Sequence, residues 1–149
     1  MYLTPELKAY YQKDFMENVL PCTDEEWALH PSLVDLCKQI NKNPHVQTIF
    51  SRKAKKGEEW SYLFFSADEV GEKLLEKLAD KLNDKNLLEA YYVNEPREFI
   101  SGSNGSIEMG CLTNVNYFNV NVYCFEFISY DRLKQKEFWR EIKKFANQI

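Results

Sequence analysis

The fourteen residues from Asn116 to Ser129, NYFNVNVYCFEFIS, form the longest uninterrupted strand signal in the chain and constrain every fold it can take. Side chains alternate faces along a strand. Phe118, Val120, Val122, Cys124, Glu126 and Ile128 therefore share one face, and Tyr117, Asn119, Asn121, Tyr123, Phe125 and Phe127 the other. Both faces carry apolar groups to bury. Such a strand belongs inside a sheet, with helices over one face and partial cover over the other. Fully extended it would reach about 46 Å at roughly 3.3 Å per residue, beyond the usual strand, which predicts a bend or bulge within it. Asn119, Asn121 and Tyr123 make a polar and aromatic stripe. It is either a contact surface or a sheet face beneath a helix, and burial statistics favour the second.

Before this strand the apolar spacing is first helical. Thr4-Pro5 opens a helix, because threonine can cap free amides and proline at the first helical position loses no hydrogen bond. Leu7, Tyr11, Phe15 and Val19 recur every four residues as one apolar face, and Pro21 ends the run. Thr23 to Glu26 reads as a capping box for a short turn carrying Trp27. Pro31 starts a second helix with Leu33, Leu36, Cys37 and Ile40 on one side, closed by Asn43 and Pro44.

After Pro44 the period falls to two. Val46–Lys53 and Glu59–Phe65 read as a hairpin around the glycine-containing loop 54–58. Ser66 with Glu69 fits the capping box of a helix whose stripe is Val70, Leu74, Leu75, Leu78 and Leu82. Leu87–Val93, Arg97–Ile100 and Ile107–Leu112 are further strand candidates, interrupted by Pro96 and by the glycine loop 101–106. Asp131 caps a last helix with Leu133, Phe138, Trp139, Ile142, Phe145 and Ile149 facing inward. The expected fold class is α+β: an antiparallel or mixed sheet of about five to six strands with helices mainly on one face, in the order α-α-β-β-α-β-β-β-β-α. At 149 residues, with neither internal repeat nor long linker, residues 1–149 make one domain.

Four dispersed cysteines without a C-x-x-C pair, no leader-like opening and no apolar run of membrane-spanning length predict a cytoplasmic protein with reduced thiols. The Asn104-Gly105-Ser106 sequon then carries no glycan. A net charge of −4 argues against a dedicated nucleic-acid binder, whose phosphate contacts need a basic footprint, so nucleic acid is not the expected partner.

Reactive chemistry finds little purchase. His30 and His45 are the only histidines, each beside a proline at an element boundary, where His30 reads as a helix cap. Cys37 lies eight residues before His45, but it falls on an apolar helical stripe and reads as a buried structural thiol. Close ligand pairs for a metal are missing, as are the P-loop, nucleophile-elbow and dinucleotide fingerprints, so no catalytic residue, metal or cofactor is expected.

Two charged regions remain. Arg52, Lys53, Lys55 and Lys56 sit at the first hairpin, and Arg132, Lys134, Lys136, Arg140, Lys143 and Lys144 on the last helix; together they could track a phosphate backbone, but Glu58, Glu59, Glu137 and Glu141 interleave and would repel phosphate, which favours a solvated hairpin tip and helix face. Around Pro96, Asn94, Glu95, Arg97 and Glu98, with Asn104 of the glycine loop, form an exposed polar surface with no helix terminus to explain its acids. Joined to Asn119, Asn121 and Tyr123, it suggests a bacterial inhibitor of immunity type. Its partner would be a cationic toxin domain, such as a nuclease, steered to the acidic surface. The alternative is a nucleic-acid-binding module using the basic hairpin and last helix. A third reading is an enzyme built from dispersed carboxylates and tyrosines.

Overall fold

The computed structural model describes residues 1–22, 29–95 and 120–149. Helix α1, Pro5–Asp14, is capped by Thr4, whose hydroxyl accepts from the Leu7 amide at 3.2 Å. It runs on through one wide π-turn, Phe15–Val19, and a tight turn, Leu20–Cys22. A π-turn inserts a residue into the helical repeat and rotates the face that follows. The expected single stripe is accordingly divided: Leu7 and Tyr11 pack in one core, Phe15 in another, and Val19 touches both.

After a single turn at Pro31–Leu33 comes α2, Val34–Asn41, entered through His30, whose Nδ1 accepts from the Ser32 amide at 3.1 Å. Strands β1, Val46–Arg52, and β2, Trp60–Ala67, form the expected hairpin, with Gly57 in the left-handed region at φ +87°. Helix α3 spans Glu69–Asp84, strand β3 Ala90–Asn94, strand β4 Val122–Ile128 and helix α4 Arg132–Gln148. The fold is α+β, with a fully antiparallel four-stranded sheet in the order β1-β2-β4-β3. Among the described residues there are four strands where the whole chain was expected to hold five to six; the candidates at 97–100 and 107–112 lie outside the described residues. β4 is the inner strand foreseen from its two apolar faces, while the register irregularity falls in β1, between Thr48 and Phe50.

Two layers cover the sheet. Leu63, Phe65, Tyr123, Phe125 and Phe127 meet α2, α3 and α4 in the larger core. On the other face Val122 and Cys124 pack with Ile49, Leu3 and Tyr11, so α1 supplies the partial cover. Lys8 of α1 reaches the α2–β1 junction, its Nζ donating to the carbonyls of Asn41 and Val46 and to Gln47 Oε1 at 2.7–3.0 Å. Burial lowers its pKa to about 8.

Three local expectations are corrected. The α3 cap is Asp68, which accepts from the Gly71 amide at 2.8 Å, because pairing with β1 holds Ser66 and Ala67 in β2. Val70 is 51% exposed and the buried stripe runs through Gly71, Leu75, Leu78, Ala79 and Leu82. Gly71 is required there, since a Cβ would lie 2.1 Å from the His45 carbonyl oxygen. In α4, Leu133 is 69% exposed and Gln135 is buried in its place, while Phe138, Trp139, Ile142 and Phe145 face inward as expected.

Candidate anion-binding groove

Gln135 explains how the site is assembled. Its Oε1 accepts from Ser61 Oγ at 2.6 Å, and its Nε2 donates to the carbonyls of Glu59 and Ser129 at 2.9 Å each. Ser61 Oγ in turn accepts from the Ala54 amide at 2.9 Å, and Arg132 Nη1 donates to the Ala54 carbonyl at 3.0 Å. These bonds clamp the hairpin to the first turns of α4. They carry Lys53, next to Ala54, to the foot of the face that α4 turns toward α2.

There a cleft of about 600 Å³ opens between α2 and α4. Lys53, Lys136, Arg140 and Lys143 line it together with Ser32, Gln39 and Asn147, and Leu33, Leu36, Trp139 and Ala146 add apolar wall. Asp35 is the single carboxylate among the described residues that line it. Lys136, Arg140 and Lys143 are exposed, and their spacing of four and three residues places them on one helical side. Trp139 is buried, and its Nε1 has no hydrogen-bond partner among the described residues.

Two of the four interleaved acids, Glu58 and Glu141, are drawn elsewhere. Glu58 bonds Arg52 at 3.0 Å and accepts from the Lys55 amide at 2.8 Å, closing the hairpin loop. Glu141 lies on the side of α4 facing α3, where Lys85, Lys144 and Lys81 surround it at 2.8, 3.2 and 3.4 Å and hold its carboxyl down to about 2. Seven of the ten cations in the two basic runs therefore separate by role. Arg52 and Lys144 serve ion pairs, Arg132 holds the Ala54 carbonyl, and Lys53, Lys136, Arg140 and Lys143 face the cleft.

The field at this end is positive. Burial lowers the Lys53 pKa, and the neighbouring Arg132 lowers it further. Burial again leads for His30, with Lys53 and Lys55 adding to the depression. Lys53 Nζ donates to Ser32 Oγ at 2.9 Å, and Ser32 Oγ lies 2.8 Å from His30 Nδ1, so the His30 cap and the hairpin lysine meet at one serine.

The acidic surface expected around Pro96 is only partly in view. Arg97, Glu98, Asn104 and Asn119 lie outside the described residues. Glu95 is exposed, and Asn94 is half-buried with its side-chain amide 3.8 Å from Cys124 Sγ. Tyr123 is no surface residue: it is fully buried under the helices, and its hydroxyl donates to Glu72 Oε2 at 2.6 Å. Asn121 exchanges bonds with Met1, its amide donating to the Met1 carbonyl at 2.8 Å and its Oδ1 accepting from the Met1 amino group at 2.5 Å. Of the stripe, Tyr123 therefore lies on the sheet face beneath the helices, and Asn121 is tied to the start of the chain.

Cys37 and His45 remain separate. The Cys37 thiol is buried and pushed up to about 12, while His45 Nδ1 pairs with Asp68 Oδ2 at 2.7 Å. Ser32, Gln39, Asn147 and Trp139 of the cleft had no charge or motif to mark them. The spacing of Lys136, Arg140 and Lys143 around Trp139 was the available signal. Comparison of the chain with protein-family models, with curated proteins and with solved structures found no match.

Proposed function

We propose that this protein is a binding module that takes an anionic polymer in the cleft between α2 and α4. The observation that carries the reading is the convergence of two basic segments, far apart in sequence, on one cleft, with Glu58 and Glu141 engaged in ion pairs away from it. Four cations against one carboxylate make a site whose potential is positive although the chain is negative overall. That local balance offsets the objection raised by net charge and by interleaved acids. Cations and side-chain amides predominate among the polar groups of the cleft, which suits capture of an anion.

Retention on immobilised heparin at low salt tests it. The native protein should be held and should elute as salt rises, whereas Lys136→Gln/Arg140→Gln/Lys143→Gln should pass through with an unchanged melting temperature. Native protein that is not retained, or a triple variant retained equally, contradicts the proposal.

A second reading keeps the inhibitor of a cationic protein, and one observation favours it. Glu69, Glu72 and Glu76 gather around Tyr2 and Tyr91. The Tyr2 hydroxyl, bonded to Glu72 at 3.0 Å, is raised first by that bond, and burial followed by Glu76 and Glu72 pushes Tyr91 up to about 12. With the exposed Glu95, these acids offer a negative surface to a basic toxin domain. Co-purification with such a partner that is lost on Glu69→Lys/Glu76→Lys, and untouched by the triple variant, would transfer the function to this surface.

A further inference from the structure

We infer that the polymer taken by the α2–α4 cleft is a single strand of nucleic acid, gripped by its phosphates and read without regard to base. The inference rests on the anionic-polymer reading above and specifies its ligand.

The first observation is the arrangement of the cations. Lys136, Arg140 and Lys143 follow one another along the axis of α4 at intervals of about 6 and 4.5 Å, taking 1.5 Å per residue. Lys53 extends the row at the hairpin end, and the exposed Lys55 and Lys56 lie just beyond it in sequence. A compact anion such as a lone phosphate is served best by donors that converge on a point. A row of cations is served best by a chain that repeats its charge at similar intervals, as a nucleic-acid backbone does.

The second observation is shape. The row lies within a cleft of about 600 Å³ between two helices. A duplex presents its phosphates on the outside of a wide cylinder and meets a flat or convex basic surface, or a helix that enters its groove. A single backbone is narrow enough to lie in the cleft.

The third observation concerns the bases. Reading a base in a single strand requires an accessible aromatic face or donors aimed at base edges. Trp139, the one aromatic residue among the described residues that line the cleft, is 7% exposed, so its ring offers no platform for stacking. The polar side chains that remain among the described lining residues are the four cations, the amides of Gln39 and Asn147, Ser32 and Asp35, and phosphate contacts made by the cations carry no sequence information. Lys136, Lys143 and Lys53 act as point charges, and Arg140 adds a planar fork that can bind two phosphate oxygens.

Fluorescence anisotropy of the full chain with short labelled probes tests the inference: oligouridylate, oligoadenylate, oligothymidylate, a duplex of the same length and an oligoglutamate peptide. The three single strands should bind with affinities within about threefold of one another, and more tightly than the duplex or the peptide. Four phosphate contacts on a single strand predict a log–log salt slope of about −3, a loss of roughly fifty-fold between 50 and 200 mM salt. Lys136→Gln/Arg140→Gln/Lys143→Gln should reduce the slope to about −0.7. Tighter binding of the duplex, or a strong preference among the three strands, overturns the single-strand, base-blind assignment. Oligoglutamate binding without oligonucleotide binding overturns the nucleic-acid ligand and leaves the anionic-polymer reading standing. No binding of any probe overturns both.

Discussion

Glu141 shows how one residue can decide the sign of a surface. Its carboxylate is 4% exposed and is met by Lys81, Lys85 and Lys144, so it faces α3 and leaves the α2 side of α4 to cations. Those contacts hold its pKa near 2, below the ordinary carboxylate value of 4.5. A carboxyl group whose pKa is depressed on folding contributes stability above its unfolded value, and that contribution disappears as pH falls toward its folded value. Glu141→Gln should therefore be less stable than the native protein at neutral pH, and the difference should close between about pH 4.5 and 2. Denaturant titrations of the two proteins at several pH values measure it. A gap that stays constant down to pH 2 would show that Glu141 acts by packing alone.

At the scale of elements, the cleft depends on how the hairpin is fastened to α4, and Gln135 is the fastening. Replacing it with alanine removes three side-chain bonds, leaving Ser61 Oγ without its acceptor and taking one donor from each of two carbonyls, of which Glu59 keeps the Ser129 amide. Buried polar groups left unpaired cost about 1–3 kcal/mol, or a drop in melting temperature of several degrees in a domain of this size. Gln135→Ala should also weaken heparin retention, since Lys53 is no longer held against α4. A variant that melts normally and is retained normally would remove the clamp from the account. This element was hard to read from sequence for a physical reason. Hydrophobic spacing points Leu133 inward, yet a glutamine whose donors and acceptor all find partners is buried at less cost than it would be alone. Similar competition placed the α3 cap at Asp68, where pairing between β1 and β2 outweighed a well-formed capping box at Ser66. Within single elements the sequence was informative. The Thr4 and Asp131 caps, the hairpin and the two-faced inner strand all follow from local propensity and alternation.

Across the whole molecule, charge is divided between two ends. Glu69, Glu72 and Glu76 surround the tyrosines near the start of α3, while Lys53, Lys136, Arg140 and Lys143 line the cleft beside α2. Net charge averages over that division and so conceals both surfaces. Both basic segments were visible in the sequence; that they share a cleft was not, because their meeting is set by the docking of α4 on α2 and the hairpin. The same limit applied to Tyr123, whose alternation fixed its face but not which face the helices cover. The account rests on the cleft being the place where an anionic chain binds. Amide chemical-shift mapping during titration with inorganic polyphosphate measures this directly, because it reports location without presuming the natural ligand. Shifts should concentrate at 32–39, at Lys53 and along 136–147. Shifts centred instead on the lysines of α3, spread evenly over every exposed lysine, or not seen at all would contradict it.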